Sequence, residues 1–222
     1  MAGVRQATIP LPNGGETRTY FFGDTGALGR SGRAGAPTPR MAEGFHVQHG
    51  EASVAVNLYT FLNLYDRALV AASHLLDKGL AHAAANGISE RDMLGWRLID
   101  DMQPLGFQLM VVASFSCQWA ARVAGLPVPD RISPDLDAAG FRKAIAEARE
   151  YLAALRPEQF AGRDDVPLTV QITEGLEPTL PAGQWLSSFA TTNIHFHLST
   201  LYGILRAHGV PIGKADLFAG GL

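Results

Sequence analysis

The 222-residue sequence has a single cysteine, no long apolar run and no excess of basic residues, and each shortage excludes a class of protein. Cys117 cannot form an internal disulfide, so we expect the chain to fold in a reducing compartment, the cytoplasm. The longest apolar stretch, residues 105–121, is interrupted by four polar side chains and falls short of the about 18 apolar residues of a membrane span. With 18 Lys and Arg against 21 Asp and Glu, the net charge of −3 provides no basic surface for nucleic acid.

Residues 1–50 differ in composition from the rest of the chain. They contain four prolines, ten glycines, two of them adjacent, and no sustained helical period, so we predict a disordered extension ahead of a single domain at residues 51–222. A short strand is expected around residues 17–22. Residues 1–40 contain five arginines, no lysine and two acidic residues, a net charge of +3. The alternative interpretation is therefore an organellar targeting peptide, although this much proline and glycine makes a poor amphipathic helix.

Beyond residue 50, apolar residues recur at three- and four-residue steps, which is typical of helices in a bundle. The predicted helices cover residues 54–86, 89–102, 104–125, 133–156 and 184–208. Residues 166–172 instead alternate between apolar and polar, and Glu174-Gly175 follows as a turn, so we predict a small β-hairpin there. The predicted fold is all-α: an up-and-down four-helix bundle with a short extra helix and a small β-hairpin insertion.

From residue 58 to residue 218 the chain resembles the DinB/YfiT-like helical bundles, in the uncharacterised branch called domain of unknown function DUF1993. The phrases that carry the resemblance are LLDKGLAHAAANGI, RLIDDMQPLGFQ, ARVAGLPVP and NIHFHLSTLYGILRAHGVPIGKADLF. The resemblance implies a four-helix bundle with a hairpin insert and a tendency to form homodimers. It implies no established activity.

The resemblance also implies a metal site, but this sequence departs from the ligand pattern of that site. The wider superfamily often holds a divalent metal on three histidines, one from the second bundle helix and a His-x-x-x-His pair from the last. Here His197 matches a ligand position, but Asn193 and Leu201 occupy the positions four residues away, and His195 faces another side of the helix. The second bundle helix, 104–125, contains no histidine. We therefore expect no metal and no cofactor; the alternative is a divalent ion such as zinc or nickel on His197 and ligands not identified.

Five polar residues within the matching phrases form the candidate ligand-binding cluster: Arg97, Asp101, Gln108, Asn193 and His197. A guanidinium held by a carboxylate can present donors to an anionic or carbonyl ligand, and a nearby imidazole can move a proton near neutral pH. The alternative is structural: Arg97 and Asp101, four apart, pair to stabilise the short helix, while Asn193 and His197 bond buried carbonyl groups.

Two functions of different classes remain open. The first is a non-catalytic or small-ligand-binding homodimer. The second is a divalent-metal-dependent transferase or hydrolase of the DinB/YfiT type, for example a thiol transferase, with an atypical metal site at His197. Whether the protein is an enzyme is left open. Cys117 lies in mid-helix with no basic residue within four positions, so we interpret it as a packing residue rather than a nucleophile.

Overall fold

The computed structural model describes residues 4–10, 16–22 and 57–221 of the chain, which divides into two units, 1–52 and 53–222. In the first unit, strand β1 (Val4–Pro10) pairs antiparallel with strand β2 (Glu16–Phe22). The strand expected around residues 17–22 falls within β2, and β1 was not predicted. The interpretation of residues 1–50 as a disordered extension stays a prediction, since the structure describes two strands there and the remainder lies outside the described residues.

The second unit is the predicted all-α bundle, which is confirmed. Its helices are α1 (Thr60–Ala85), α2 (Glu90–Leu94), α3 (Leu105–Ala124), α4 (Ala138–Ala154), α5 (Ala182–Gln184) and α6 (Thr191–Ala207). A π-helical segment, Trp185–Ala190, joins α5 to α6, so these form one continuous helical rod. The long elements α1, α3, α4 and α6 pack their apolar faces around one core. Among the described residues, no helix has both the length and the apolar character to cross a membrane.

The short helix is much shorter than the predicted 89–102. Ser89 caps α2 by accepting a hydrogen bond from the Asp92 amide at 3.1 Å, as its position in the sequence indicated, but the helix ends at Leu94. The Leu105 amide donates to the Trp96 carbonyl at 2.8 Å and folds the intervening residues into a loop. Helix geometry therefore does not bring Arg97 and Asp101 onto one face, which corrects that prediction.

Capping residues explain where the observed ends of other helices differ from, or agree with, the predicted ends. Helix α4 begins at Ala138 rather than near residue 133, because Asp137 caps it by accepting from the Gly140 amide at 2.7 Å. Helix α3 ends where predicted, at Gly125, which adopts a φ of 71° and so takes the left-handed conformation that glycine tolerates. After α6, Gly209 has a φ of 82° and closes the last helix as the sequence indicated.

The predicted hairpin is present but shorter than its alternating pattern. Strand β3 (Pro167–Thr169) pairs antiparallel with β4 (Thr179–Pro181). The Trp185 indole donates to the Leu168 carbonyl at 2.8 Å, so the hairpin is fastened to the start of the last helical rod. A buried tryptophan thus supplies the packing that two short strands need.

Candidate functional site

The central contact of the candidate site joins α3 to α6. Gln108 on α3 is only 2% exposed, and its Oε1 lies 2.6 Å from Nδ1 of His197 on α6. The Nε2 amide of Gln108 donates to the Gln103 carbonyl at 2.9 Å. Because the amide nitrogen is the donor to that carbonyl, Oε1 is the acceptor for His197. This network assigns the imidazole proton to Nδ1 and leaves Nε2 as a hydrogen-bond acceptor.

Aromatic rings and one cation surround the imidazole. The Phe107 ring lies 6.0 Å from the His197 ring at a tilt of 56°, and Phe196 meets it edge-on at 5.2 Å. The guanidinium of Arg131, from the loop between α3 and α4, lies over Phe107 at 5.6 Å from the ring centroid. Its Nε donates to Met110 Sδ at 3.1 Å. The ring of Phe107 thus has His197 on one side and a positive charge on another.

Electrostatics keep His197 neutral. Partial burial, followed by the positive charge of Arg131, lowers the pKa of His197 from 6.5 to about 4. At neutral pH its Nε2 therefore carries a lone pair. Within the described part of the chain Nε2 has no hydrogen-bond partner, although every buried side-chain nitrogen and oxygen there has one. Nε2 is therefore on the solvent-accessible side of the ring.

The other predicted site residues are placed differently. Asn193 is half-buried one turn before His197, and its Nδ2 donates to the Phe189 carbonyl at 2.9 Å. Arg97 is exposed and donates to the Met102 carbonyl. Among the described residues there is no ion pair between Arg97 and Asp101, so that pairing is wrong. Gln108 and His197 alone of the five are in direct contact.

Sequence reasoning missed Arg131. It follows residues 126–130 (LPVPD) in a loop, where no helical periodicity of the sequence relates it to residues on the bundle helices. The only signal was its position close to a matching phrase. Loop residues of this kind reach a site through the tertiary structure, so a single sequence does not reveal them.

The residues present do not fit a three-histidine metal site. Within the described ranges, no three His, Cys, Asp or Glu side chains gather closely enough to hold a metal ion. Nδ1 of His197 is already bonded to Gln108, and Leu201, one turn later, is fully buried in the core. The α3 residue that faces His197 is an amide, which is a poor ligand for zinc or nickel.

Cys117 behaves as a packing residue in the structure. Its side chain is buried, and Sγ lies 3.6 Å from the Ala148 carbonyl of α4. Burial raises the pKa of the thiol from 9.0 to about 12, so the thiolate is not formed at neutral pH. This agrees with the interpretation from the sequence that Cys117 is not a nucleophile.

The fold and this site together define a four-helix bundle in which a buried glutamine faces the histidine of the last helix. The family model described as Domain of unknown function (DUF1993) matches residues 58–218, and the chain belongs to this family. The crystal structure of a DinB family member protein from Shewanella denitrificans is similar, at 29% sequence identity and a TM-score of 0.59. The similarity covers 73% of this chain and 95% of that one. No curated protein matches this chain.

Proposed function

We propose that this protein is a non-catalytic bundle that binds a small polar molecule at the Gln108–His197 pair. The observation that supports the proposal is the 2.6 Å contact between a half-buried imidazole and an almost fully buried amide. The amide is held at its other end by the Gln103 carbonyl. The ring therefore has one orientation and one tautomer before any ligand arrives, and such preorganisation lowers the entropic cost of binding.

Asn193 adds a second polar group on the same side of α6. It lies four residues before His197, so the two side chains share a helix face. Its Nδ2 is bonded to the helix backbone, which leaves Oδ1 as an acceptor. Phe107 and Phe196 flank the imidazole. A few polar atoms among aromatic rings are typical of small-molecule sites.

The same geometry supports binding more than catalysis. A general base is most effective when its pKa lies near the working pH, and the pKa of His197 is about 4. The other nucleophile type in the bundle core, the thiol of Cys117, is buried and protonated at neutral pH. Neither group is poised to accept a proton or attack a substrate at pH 7.

The test follows the side-chain nitrogens of His197 by NMR on protein labelled with ¹⁵N-histidine. In the free protein we expect the tautomer of His197 that is protonated at Nδ1. In Gln108→Leu the preference for this tautomer should be lost, because the Oε1 acceptor of Gln108 is gone. A panel of small carboxylates, amides, alcohols and amines is then added separately. At least one compound should shift the NMR signal of His197 in the wild type, and the shift should be smaller in Gln108→Leu.

The matched control is His195→Gln, which removes a half-buried histidine two residues away on another side of α6. It should leave the response of His197 unchanged. A panel in which no compound shifts His197 would overturn the proposal. So would a response that persists in full after Gln108→Leu.

The second candidate function is a divalent-metal-dependent transferase or hydrolase, such as a thiol transferase. One observation favours it: Nε2 of His197 is free of described partners and is a ligand atom for zinc or nickel. It requires further ligands that the described residues do not bring together. If it is right, His197→Ala should abolish metal uptake, and unchanged uptake would end the idea.

We also propose that the protein is a homodimer, as the family resemblance implies. Large apolar side chains are exposed on the bundle, among them Phe196 at 56% and Ile99 at 58%. A contiguous patch of such side chains is typical of a surface covered by another chain, whereas single exposed apolar residues are common on any protein. Sedimentation equilibrium should give twice the chain mass, and a monomer at micromolar concentration would contradict the proposal. Location in the cytoplasm stays a prediction.

A further inference from the structure

We infer that the outer face of α6, together with the loop 95–104 before α3, packs against the same surface of a second copy of this chain. The inference rests on the homodimer proposed above and goes further by naming its interface. The outer face of α6 consists of four positions at three- and four-residue steps on the side away from the core: Thr192, Phe196, Ser199 and Gly203. Phe196 meets the His197 ring edge-on at 5.2 Å, so the interface adjoins the candidate site.

The composition of α6 differs from that of an ordinary surface helix. Helices α4 and α6 both have 17 residues and both are partly exposed. The five charged residues of α4 are Arg142, Lys143, Glu147, Arg149 and Glu150. Helix α6 has one, Arg206 in its last turn, and its outer face has none. A helix face in water normally carries charged residues, whereas the centre of a protein–protein interface is depleted of them. The outer face of α6 therefore has the composition of a covered surface.

Exposed apolar side chains of the loop extend this face. Phe196 is 56% exposed, and Leu98 and Ile99 in the loop are 43% and 58% exposed. Leu98 Cδ1 would lie 3.9 Å from a methyl group on Gly203, so the loop continues the surface of α6. Phe196 lies two turns before Gly203 on the same side of the helix, about 10 Å along the axis. These side chains form one patch rather than scattered apolar residues, and such a patch marks an interaction site.

The loop is already ordered in the single chain. The Trp96 indole stacks on the His208 imidazole at the end of α6, with 4.3 Å between the ring centroids and 1° between the ring planes. The Arg97 side chain donates to the Met102 carbonyl, and the Leu105 amide donates to the Trp96 carbonyl at 2.8 Å. Because these contacts hold the loop before association, ordering it adds little to the entropic cost of forming the interface.

Charges of both signs border the patch and favour a second copy as the partner. The exposed charged residues are Arg97, Asp100 and Asp101 in the loop and Arg206 on α6. The ion pairs among the described residues do not include any of them. In a two-fold contact, residue i of one copy meets residue j of the other and j meets i, so arginines can lie opposite aspartates twice. A uniformly acidic or basic partner would instead meet like charges.

The experiment measures the dimer dissociation constant of the full chain by sedimentation equilibrium. Phe196→Glu places a charge at the centre of the outer face and should raise the dissociation constant by about thirtyfold or more, as for a central interface residue. Leu176→Glu is the matched control, because Leu176 is 52% exposed in the connection between β3 and β4. It should leave the constant unchanged. Both variants should keep the helical circular dichroism of the wild type, since both side chains are exposed.

Reversed charges test whether the partner is the same chain. Arg206→Glu and the double variant Asp100→Lys/Asp101→Lys should each dimerise more weakly than the wild type, because like charges then face each other. A mixture of the two should form a heterodimer that is tighter than either homodimer. If the two variants show no preference for each other, the two-fold arrangement is overturned.

A dimer that Phe196→Glu leaves intact would overturn this interface while the homodimer stands. A wild-type monomer would overturn both, and the face would then belong to another partner or to none. Ligand binding at the Gln108–His197 pair is read separately by NMR, so none of these outcomes is confused with its failure.

Discussion

At the scale of single residues, Tyr65 shows how one hydroxyl group compensates for an irregular helix. The side chain is fully buried in α1, and its hydroxyl donates to the Leu186 carbonyl at 3.0 Å. Leu186 lies in the π-helical segment, where the usual backbone pairing is altered. The Thr191 hydroxyl also donates to this carbonyl, at 2.8 Å. These two hydroxyl groups therefore stabilise the wide turn against the first helix.

The first prediction concerns that hydroxyl. Tyr65→Phe should lower the free energy of unfolding by about 1–2 kcal/mol, because a buried hydrogen bond is lost and a polar carbonyl loses one partner. Urea denaturation measures the change. Tyr151→Phe, on the half-exposed side of α4, is the control and should be nearly neutral. An equal loss of unfolding free energy in both variants would show that the buried hydroxyl of Tyr65 stabilises the fold no more than the half-exposed hydroxyl of Tyr151.

The second prediction concerns the pH dependence of stability. The pKa of His197 is about 4 in the folded protein, against 6.5 as the ordinary value, so protons bind the unfolded chain more readily. The contribution of His197 to stability is fully present above about pH 6.5 and is lost as the pH falls toward 4. His197→Gln should therefore flatten the decline in urea midpoint between these pH values. His82→Gln removes a histidine on α1 rather than α6, and should leave the decline of the urea midpoint with falling pH unchanged.

At the scale of elements, close approach at a glycine determines how α3 meets the start of α4. A methyl group on Gly106 would lie 2.9 Å from the Pro134 carbonyl oxygen and 3.5 Å from the Phe141 ring. A backbone oxygen cannot move aside as the end of a flexible side chain can. The first turn of α3, which also presents Phe107 and Gln108, is thus set against the chain that leads into α4.

The third prediction compares two helical glycines. Gly106→Ala should destabilise the protein by about 1 kcal/mol or more, because overpacking outweighs the gain in helix propensity. Gly203→Ala on α6 should instead stabilise it by about 0.5–1 kcal/mol, since the nearest atom to the new methyl group, Leu98 Cδ1, lies 3.9 Å away. Thermal unfolding of both variants measures the difference. The same sign for both would contradict the packing argument.

At the scale of the whole molecule, the fold is a DinB-like bundle in which the groups next to the last-helix histidine are an amide and apolar side chains. Gln108 occupies the side of α3 that faces the last-helix histidine, and Leu201 belongs to the core. The bundle is therefore held together by apolar packing between its four long helices and by the contact between Gln108 and His197. The described residues provide no cluster of metal ligands to add to that packing.

The fourth prediction is that the purified full chain carries no stoichiometric divalent metal. A chelator should then leave its thermal unfolding temperature unchanged, because no binding free energy contributes to folding. Elemental analysis of protein purified without a metal-affinity step measures the content directly. One ion per chain, lost in His197→Ala, would favour the metal-dependent transferase or hydrolase instead.

The sequence by itself determined the bundle and named both residues of the candidate contact, Gln108 and His197, among five candidates. Apolar spacing is a local property of the chain, so the helices and the hairpin could be predicted, as could the shared face of Asn193 and His197. Only the tertiary structure decided which groups meet them. Gln108 on α3 contacts His197 on α6, a pairing between two helices that are distant in sequence. Arg97 and Asp101 lie in the loop after α2 and do not pair. Arg131 comes from a loop without periodicity, so its place over Phe107 depends on chain packing that no local pattern encodes.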